Sequence, residues 1–114
     1  MITVVNCHYQ TPDIYCGRPH KCFAGSPLAN PFPMTSEADR SRVIAEYRLW
    51  LWGKIKAGDR AVLNELRIIV DLEQSRGSVA LGCWCSPKVC HCDQVALALR
   101  SERVIGILNE LMPF

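Results

Sequence analysis

Apolar residues recur along this chain with two different periods, and each period predicts a different kind of element. A short run of β-branched residues at positions 3–6 predicts a first strand. Residues 14–16 predict a second strand, which a turn signal at residues 10–13 separates from the first. Residues 78–84 form an apolar run between turn residues and predict a third, buried strand.

Apolar positions spaced three and four residues apart predict helices in most of the remaining chain. One helix is expected over residues 36–57 and a second over residues 59–74, each begun by a capping side chain and ended before a glycine. The β-branched residues within 67–72 would also suit a strand. A last helix is expected from Asp93 onward, with a restart at Ser101 after a break.

Proline identifies the longest loop of the chain, residues 17–34. Four prolines fall in this segment, namely Pro19, Pro27, Pro31 and Pro33. Because proline lacks a backbone donor and has a restricted φ, the segment is expected to be a loop. Its apolar side chains favour a loop that is ordered against the core, and long loops in small domains commonly carry function.

These elements follow the order β-β-loop-α-α-β-loop-α. Strands joined through helices indicate an α/β protein with a short, mostly parallel sheet flanked by helices. A chain of 114 residues, 49% of them hydrophobic, suits a single domain over residues 1–114. In this order residues 85–92 connect a strand end to a helix start, which is where open α/β sheets bind ligands.

Charge and hydropathy argue against a dedicated nucleic-acid module, a membrane protein and a secreted protein. The net charge is +2 and the 13 basic residues are scattered, so the sequence does not indicate a dedicated nucleic-acid module, although nucleic-acid binding is not excluded. No apolar run approaches the roughly 20 residues that span a bilayer, and the first residues lack the features of a secretory signal. We therefore expect a cytoplasmic protein without membrane contact, and the sequence leaves its oligomeric state open.

The cysteines carry the strongest chemical signal. There are seven, an odd number, and in a reducing compartment a disulfide framework is not the default. Four of them and one histidine fall within ten residues, in the pattern Cys-x-Cys-x4-Cys-His-Cys; they are Cys83, Cys85, Cys90, His91 and Cys92.

One hypothesis for residues 83–92, which we call the cysteine–histidine loop, is a metal site. Thiolates and imidazole are ligands of zinc, and the predicted set is Cys83, Cys85, Cys90 and His91. An iron–sulfur cluster suits the pattern less well. The spacing lacks the Cys-x2-Cys knuckles of zinc ribbons, so a ligand from elsewhere would complete the site; the candidates are Cys7, Cys16, Cys22 and His20.

A second hypothesis is a reactive thiolate. Cys90 lies just before the last helix, where the helix dipole lowers a thiol pKa, and His91 would act as its base or as its ion-pair partner. Arg18 and the amides at this helix start would bind an anion. Buried, chemically inert cysteines are a third reading of the same pattern.

Five segments together resemble a known family. They are residues 4–7 (VVNC), 15–19 (YCGRP), 30–32 (NPF), 47–51 (YRLWL) and 82–91 (GCWCSPKVCH). Over nearly the whole chain they resemble an uncharacterised family of phage, bacterial and other proteins, domain-of-unknown-function family 4326, whose signature is a GCWCxPxxCHG-like segment.

The resemblance implies one shared site but no activity. That site would join the cysteine–histidine loop to five residues of the proline-rich loop: Gly17, Arg18, Asn30, Pro31 and Phe32. It also suggests a phage origin, which would place the protein in the host cytoplasm. The family pattern has glycine where this chain has Cys92, so Cys92 is left out of the predicted ligand set.

Two functions are therefore expected. In the first, the protein is an enzyme or binder with Cys90 and His91 in an active site for an anionic, nucleotide-like small molecule. In the second, it is a non-enzymatic interaction module, for example a phage host-binding or DNA-associated protein, whose loop is stapled by zinc.

Overall fold

The computed structural model describes residues 1–86 and 88–112, and this part of the chain forms three strands and four α-helices. The strands are β1 (Ile2–Asn6), β2 (Ile14–Tyr15) and β3 (Val79–Cys83). The helices are α1 (Arg40–Ala57), α2 (Arg60–Arg76), α3 (His91–Leu99) and α4 (Glu102–Leu111). The predicted α/β class, with a short parallel sheet flanked by helices, is confirmed.

The sheet has the order β1-β3-β2, and both strand pairs are parallel. β1 pairs with β3 from Ile2–Val79 to Asn6–Cys83, and β2 pairs with β3 at Ile14–Leu81 and Tyr15–Gly82. Because the strands run the same way, their carboxyl ends meet at one edge of the sheet. That edge is where the two long loops of the chain begin.

The central strand β3 is the most buried of the three. Val79, Leu81 and Cys83 point to one face and are at most 1% exposed. On the other face Gly82 lies so close to Pro12 and Cys7 that a Cβ built on it would stand 2.5 Å from Pro12 and 2.8 Å from the Cys7 sulfur. A larger residue than glycine therefore does not fit between the strand and the turn before β2.

Helix α1 begins later than the sequence predicted. A single 3-10 turn, Glu37–Asp39, precedes it, and the α-helix starts at Arg40. The Asp39 carboxylate accepts hydrogen bonds from the backbone and hydroxyl of Thr35, at 3.1 and 2.8 Å. These bonds hold the entry in a tighter turn than an α-helix. Gly58, in the left-handed conformation with φ 73°, ends the helix as expected.

Helix α2 settles the ambiguity over residues 67–72, because this segment is helical and the strand alternative is wrong. Asp59 caps the helix by accepting a 3.1 Å hydrogen bond from the amide of Val62. Leu66, Ile69 and Val70 recur at helical spacing and pack into the core, so burial favours the helix over the β-branched propensity of the segment.

Helices α3 and α4 form the expected interrupted final segment, with the break at Arg100 and Ser101. α3 begins two residues before Asp93, because the Asp93 carboxylate accepts a 2.8 Å hydrogen bond from the amide of Cys90 and so caps the helix from its third position. α3 packs against α1, β1 and β3, which brings its start to the sheet edge. No helix in the described ranges has both the length and the apolarity to cross a bilayer.

Candidate functional site

A cavity of about 390 Å³ opens at the carboxyl edge of the sheet. We call it the edge cavity; its walls come from the ends of β2 and β3, the proline-rich loop, the start of α1 and the start of α3. The residues that line it are Tyr15, Gly17, Arg18, Pro19, His20, Asn30, Phe32, Met34, Arg40, Val43, Ile44, Cys83, Trp84, Cys85, Cys90 and His91.

Both loops singled out from the sequence contribute to this cavity. Gly17, Arg18, Asn30 and Phe32 line one side of it, and the predicted metal set Cys83, Cys85, Cys90 and His91 lines another. Pro31 is exposed and is not among the lining residues. The structure thus brings the predicted residues together around one space, and the roles assigned to them stay predictions.

Arg18 is held in place by the turn at residues 30–32. Its Nε donates to the carbonyl of Asn30 at 2.9 Å, and its Nη2 donates to the carbonyl of Phe32 at 3.2 Å. The Asn30 side chain in turn accepts a 2.9 Å hydrogen bond from the amide of Phe32. These contacts present a fixed positive charge at the cavity wall.

Arg40 supplies a second cation that the sequence analysis did not select. Its guanidinium donates twice to Glu37, at 2.9 Å each, and once to the carbonyl of Val89 at 2.8 Å. Glu37 also pairs with Lys88 at 3.2 Å. Arg40 therefore fastens the cysteine–histidine loop to the start of α1, and hydrogen bonds to Glu37 and to Cys85 raise its pKa.

Aromatic rings form the mouth of the edge cavity around Trp84. The indole Nε1 donates to the Tyr15 hydroxyl at 2.9 Å, and that hydroxyl donates to the carbonyl of Arg18 at 2.6 Å. The His20 ring lies 4.4 Å from the Trp84 ring and the His8 ring lies 4.7 Å away, centroid to centroid. Trp84 thus couples the two loops as well as lining the cavity.

At the back wall of the edge cavity, which Cys83 and Cys90 help to line, lies a group of three thiols that could hold a metal ion. The sulfurs of Cys83, Cys90 and Cys92 lie within 4.8 Å of one another, and we call these residues the thiol cluster. The Cys83 and Cys90 sulfurs are 3.2 Å apart, and all three side chains are buried. Cys92, which the sequence analysis left out, belongs to this group, whereas Cys85 and His91 lie outside it.

The thiol cluster is electrostatically asymmetric. Hydrogen bonds from the thiols of Cys90 and Cys92 lower the pKa of Cys83 to about 2. The same contact with Cys83 raises the pKa of Cys90 to about 12, and contacts with Cys16, Cys83 and Cys90 raise that of Cys92. These contacts favour the thiolate form of Cys83 and the protonated form of Cys90 and Cys92.

His91 faces the end of β2. Its Nε2 lies 2.6 Å from the carbonyl oxygen of Cys16 and 3.9 Å from the sulfur of Cys92, and its ring packs edge-on against Tyr47 at 5.1 Å. Burial lowers the pKa of the imidazole, which favours the neutral ring. A neutral ring that donates from Nε2 to a carbonyl keeps this hydrogen bond at physiological pH.

Two further residues that build the site were missed or only touched on by the sequence analysis, Asn6 and Cys16. The Asn6 amide bonds to the carbonyls of Trp84 and Ser86 and so shapes the loop. Cys16 is fully buried beside the thiol cluster. Their position immediately at or after the end of a strand was the available signal, because parallel strand ends meet at one edge.

Residues 5–101 match the family described as domain of unknown function (DUF4326). The chain belongs to this family. No curated protein and no solved structure matches the chain. The DUF4326 region contains both the proline-rich loop and the cysteine–histidine loop, so both walls of the edge cavity lie within it.

Proposed function

We propose that the edge cavity binds a small anionic ligand with a planar group, such as a nucleotide. The observation that carries this proposal is the cavity itself, which lies where three parallel strands end and has Arg18 and Arg40 in its wall. Its volume, about 390 Å³, falls in the range of small-molecule sites. Ligands of open α/β sheets bind at this edge.

The charged part of the ligand would lie at Arg18. Two carbonyl contacts already fix its guanidinium, so little side-chain entropy is lost on binding. The amino end of α3 opens onto the same cavity through Cys90 and His91, and its dipole adds positive potential. Arg40 contributes charge, although its donors are already engaged by Glu37 and Val89.

The planar part of the ligand would stack at the aromatic mouth. Trp84, His20 and Phe32 all line the cavity, and aromatic rings bind nucleobases through their faces. This arrangement favours a nucleotide over inorganic phosphate, since phosphate would use the arginine alone.

Binding is better supported than covalent catalysis by Cys90 and His91. Cys90 is 3% exposed and its thiol donates to Cys83, which together raise its pKa to about 12. A nucleophilic cysteine needs a lowered pKa and access to substrate. The catalytic roles of Cys90 and His91 stay predictions.

Calorimetric titration with adenosine 5′-monophosphate, adenosine and inorganic phosphate tests the proposal. The monophosphate should bind more tightly than either part. Arg18→Ala should weaken its binding about 10- to 100-fold, the value of a charge-assisted hydrogen bond. Arg103→Ala, on the exposed side of α4, is the matched control.

The binding of adenosine, which has no phosphate, shows whether Arg18→Ala acts through the lost charge or through a change in the loop. If Arg18 acts by its charge, Arg18→Ala weakens the monophosphate and leaves adenosine binding nearly unchanged. Equal monophosphate affinity in Arg18→Ala and the unsubstituted protein would contradict the proposal, as would failure of all four ribonucleoside monophosphates to bind.

A second candidate function is an interaction module stapled by zinc, and the thiol cluster favours it. Thiolates gathered within the reach of one ion are typical of structural zinc, more than of an iron–sulfur cluster. Exposed Leu49 and Val89 border a groove between α1 and the loop, where a partner would dock. Metal removal by a chelator should then unfold the chain; a folded, metal-free protein contradicts this candidate.

We infer a cytoplasmic location, which would be the host cytoplasm for a phage-borne gene. All seven cysteines are free thiols, and buried pairs as close as Cys83 and Cys90 persist unoxidised in a reducing compartment.

A further inference from the structure

We propose that Cys16 joins Cys83, Cys90 and Cys92 to hold one zinc ion in a closed, four-thiolate site directly behind the edge cavity. This inference rests on the second candidate function and names its ligands. It does not depend on nucleotide binding.

The parallel register places Cys16 beside Cys83. Tyr15 pairs with Gly82, and the amide of Cys16 continues the ladder with a 3.0 Å hydrogen bond to the carbonyl of Gly82. Neighbouring residues of a parallel ladder point to the same face, so the Cys16 and Cys83 sulfurs emerge on one side. Cys16 is fully buried there, beside the thiol cluster but outside its 4.8 Å group, and its thiol contacts that of Cys92. The Cys16 thiol donates to the carbonyl of Ile14 at 3.9 Å, so it would turn away from this carbonyl to bind the ion.

The spacing of the three sulfurs in the thiol cluster fits a single ion. A zinc–sulfur bond of about 2.3 Å places tetrahedral ligands about 3.8 Å apart. The Cys83 and Cys90 sulfurs are 3.2 Å apart, and the three sulfurs of the thiol cluster all lie within 4.8 Å. Each of these three sulfurs needs to shift by no more than about 1 Å to bind one zinc ion.

One sulfur of the thiol cluster lies at the start of a helix. In the capping box of α3 the Asp93 backbone faces the Cys90 side chain. The amino end of α3 adds its dipole. On binding, each of the four sulfurs forms one bond to zinc, and the sulfurs that are protonated release their protons to water, with no change in oxidation state.

The other candidate ligands are engaged elsewhere. Cys85 contacts Arg40 on the side of α1. His91 uses Nε2 for the carbonyl of Cys16, at 2.6 Å. With thiolates in all four positions the ion would bind no water, so it would be structural, linking β2, β3 and α3 behind the ligand cavity.

X-ray absorption at the zinc edge tests the ligand set without any substitution. Protein purified under reducing conditions, without chelator, should contain one zinc per chain with four sulfur neighbours at about 2.3 Å. A shell of three sulfurs and one nitrogen or oxygen would overturn the role of Cys16. Protein that contains no metal, and takes up none when refolded with zinc, would overturn the site altogether.

Cobalt substitution tests Cys16 directly. The sulfur-to-cobalt charge-transfer absorption grows with the number of thiolate ligands, so Cys16→Ser should lose about one quarter of it. Cys22→Ser and Cys85→Ser are controls that should keep the full intensity. A Cys16→Ser protein with an unchanged spectrum would contradict the proposal, and if this variant does not fold, the absorption edge of the unsubstituted protein decides.

The two proposals fail separately. Arg18→Ala should leave the zinc content unchanged while it weakens adenosine 5′-monophosphate binding. If Arg18→Ala does not weaken adenosine 5′-monophosphate binding, only the proposed function of the edge cavity is contradicted. If the protein binds no zinc, only the four-thiolate site is contradicted.

Discussion

Asn6 and Ser86 are 80 positions apart in the chain, and the Asn6 side-chain amide donates a 2.9 Å hydrogen bond to the Ser86 carbonyl. The same nitrogen donates to the carbonyl of Trp84 at 3.3 Å, while the Asn6 Oδ1 accepts from the amide of His8 at 2.9 Å. The end of β1 thus determines the course of the loop that follows β3.

Replacing Asn6 by Asp should destabilise the protein, because the new oxygen would face two carbonyl oxygens where the amide now donates. The expected cost is about 1–3 kcal/mol in the free energy of unfolding, measured by urea titration at neutral pH. Asn64→Asp, at an exposed position of α2, is the control. Equal stability of the two variants would show that the Asn6 bonds do not hold the loop.

Glu37 should make the free energy of unfolding depend on pH in the acidic range. Hydrogen bonds to Arg40 and then Lys88 lower its pKa from 4.5 to about 2 in the folded protein. As the pH falls, the Glu37 carboxylate therefore takes up a proton in the unfolded chain before it does so in the folded protein. Its contribution to the free energy of unfolding is complete above pH 4.5 and is lost as the pH falls towards 2. Glu37→Gln should flatten this part of the stability profile.

The measurement is urea unfolding at a series of pH values, and high salt should reduce the effect because the pair is exposed. Glu110→Gln, on exposed α4, should leave the profile unchanged. An identical pH profile in Glu37→Gln and the unsubstituted protein would count against this contact.

Tyr47 anchors the proline-rich loop from inside the core. Its hydroxyl donates a 2.7 Å hydrogen bond to the carbonyl of Leu28, and both residues are fully buried. Tyr47→Phe leaves that carbonyl without its donor and should cost about 1–3 kcal/mol of unfolding free energy. Tyr9→Phe, at a site that is 85% exposed, should change it by less than about 0.5 kcal/mol.

The Tyr47→Phe variant also reports on the cavity. Residues 30 and 32 follow Leu28 and hold Arg18, so loosening of the loop should speed hydrogen exchange of the Phe32 amide. Unchanged exchange at Phe32 would indicate that the Arg18 contacts hold the loop without Tyr47.

Two glycines should respond to alanine in opposite directions. At Gly82 a Cβ would stand 2.5 Å from Pro12, so Gly82→Ala should destabilise by about 1–3 kcal/mol through overpacking. At Gly53, inside α1, a Cβ meets nothing within 4 Å, and Gly53→Ala should stabilise by about 0.5–1 kcal/mol. Thermal unfolding of both variants checks the pair, and a stable Gly82→Ala would mean that the Pro12 turn gives way.

Elements whose signals are local can be predicted from the sequence alone. The caps at Asp59, Gly58 and Gly77, together with apolar residues at helical spacing, predicted α1 and α2 to within a few residues. The order of strands and helices predicted a mostly parallel sheet with residues 85–92 between a strand end and a helix start, and the sheet is parallel. These features depend on neighbours within a few positions or on the order of elements along the chain, and the linear sequence contains both.

Which sulfurs come together depends on the tertiary structure. Cys85 lies five positions before Cys90 and Cys92 lies two positions after it. Cys92 belongs to α3 and turns inward, whereas Cys85 contacts Arg40 of α1. The register of β2 on β3 places Cys16 beside the thiol cluster. Side-chain direction at a strand end depends on packing between distant segments, and no local pattern contains it.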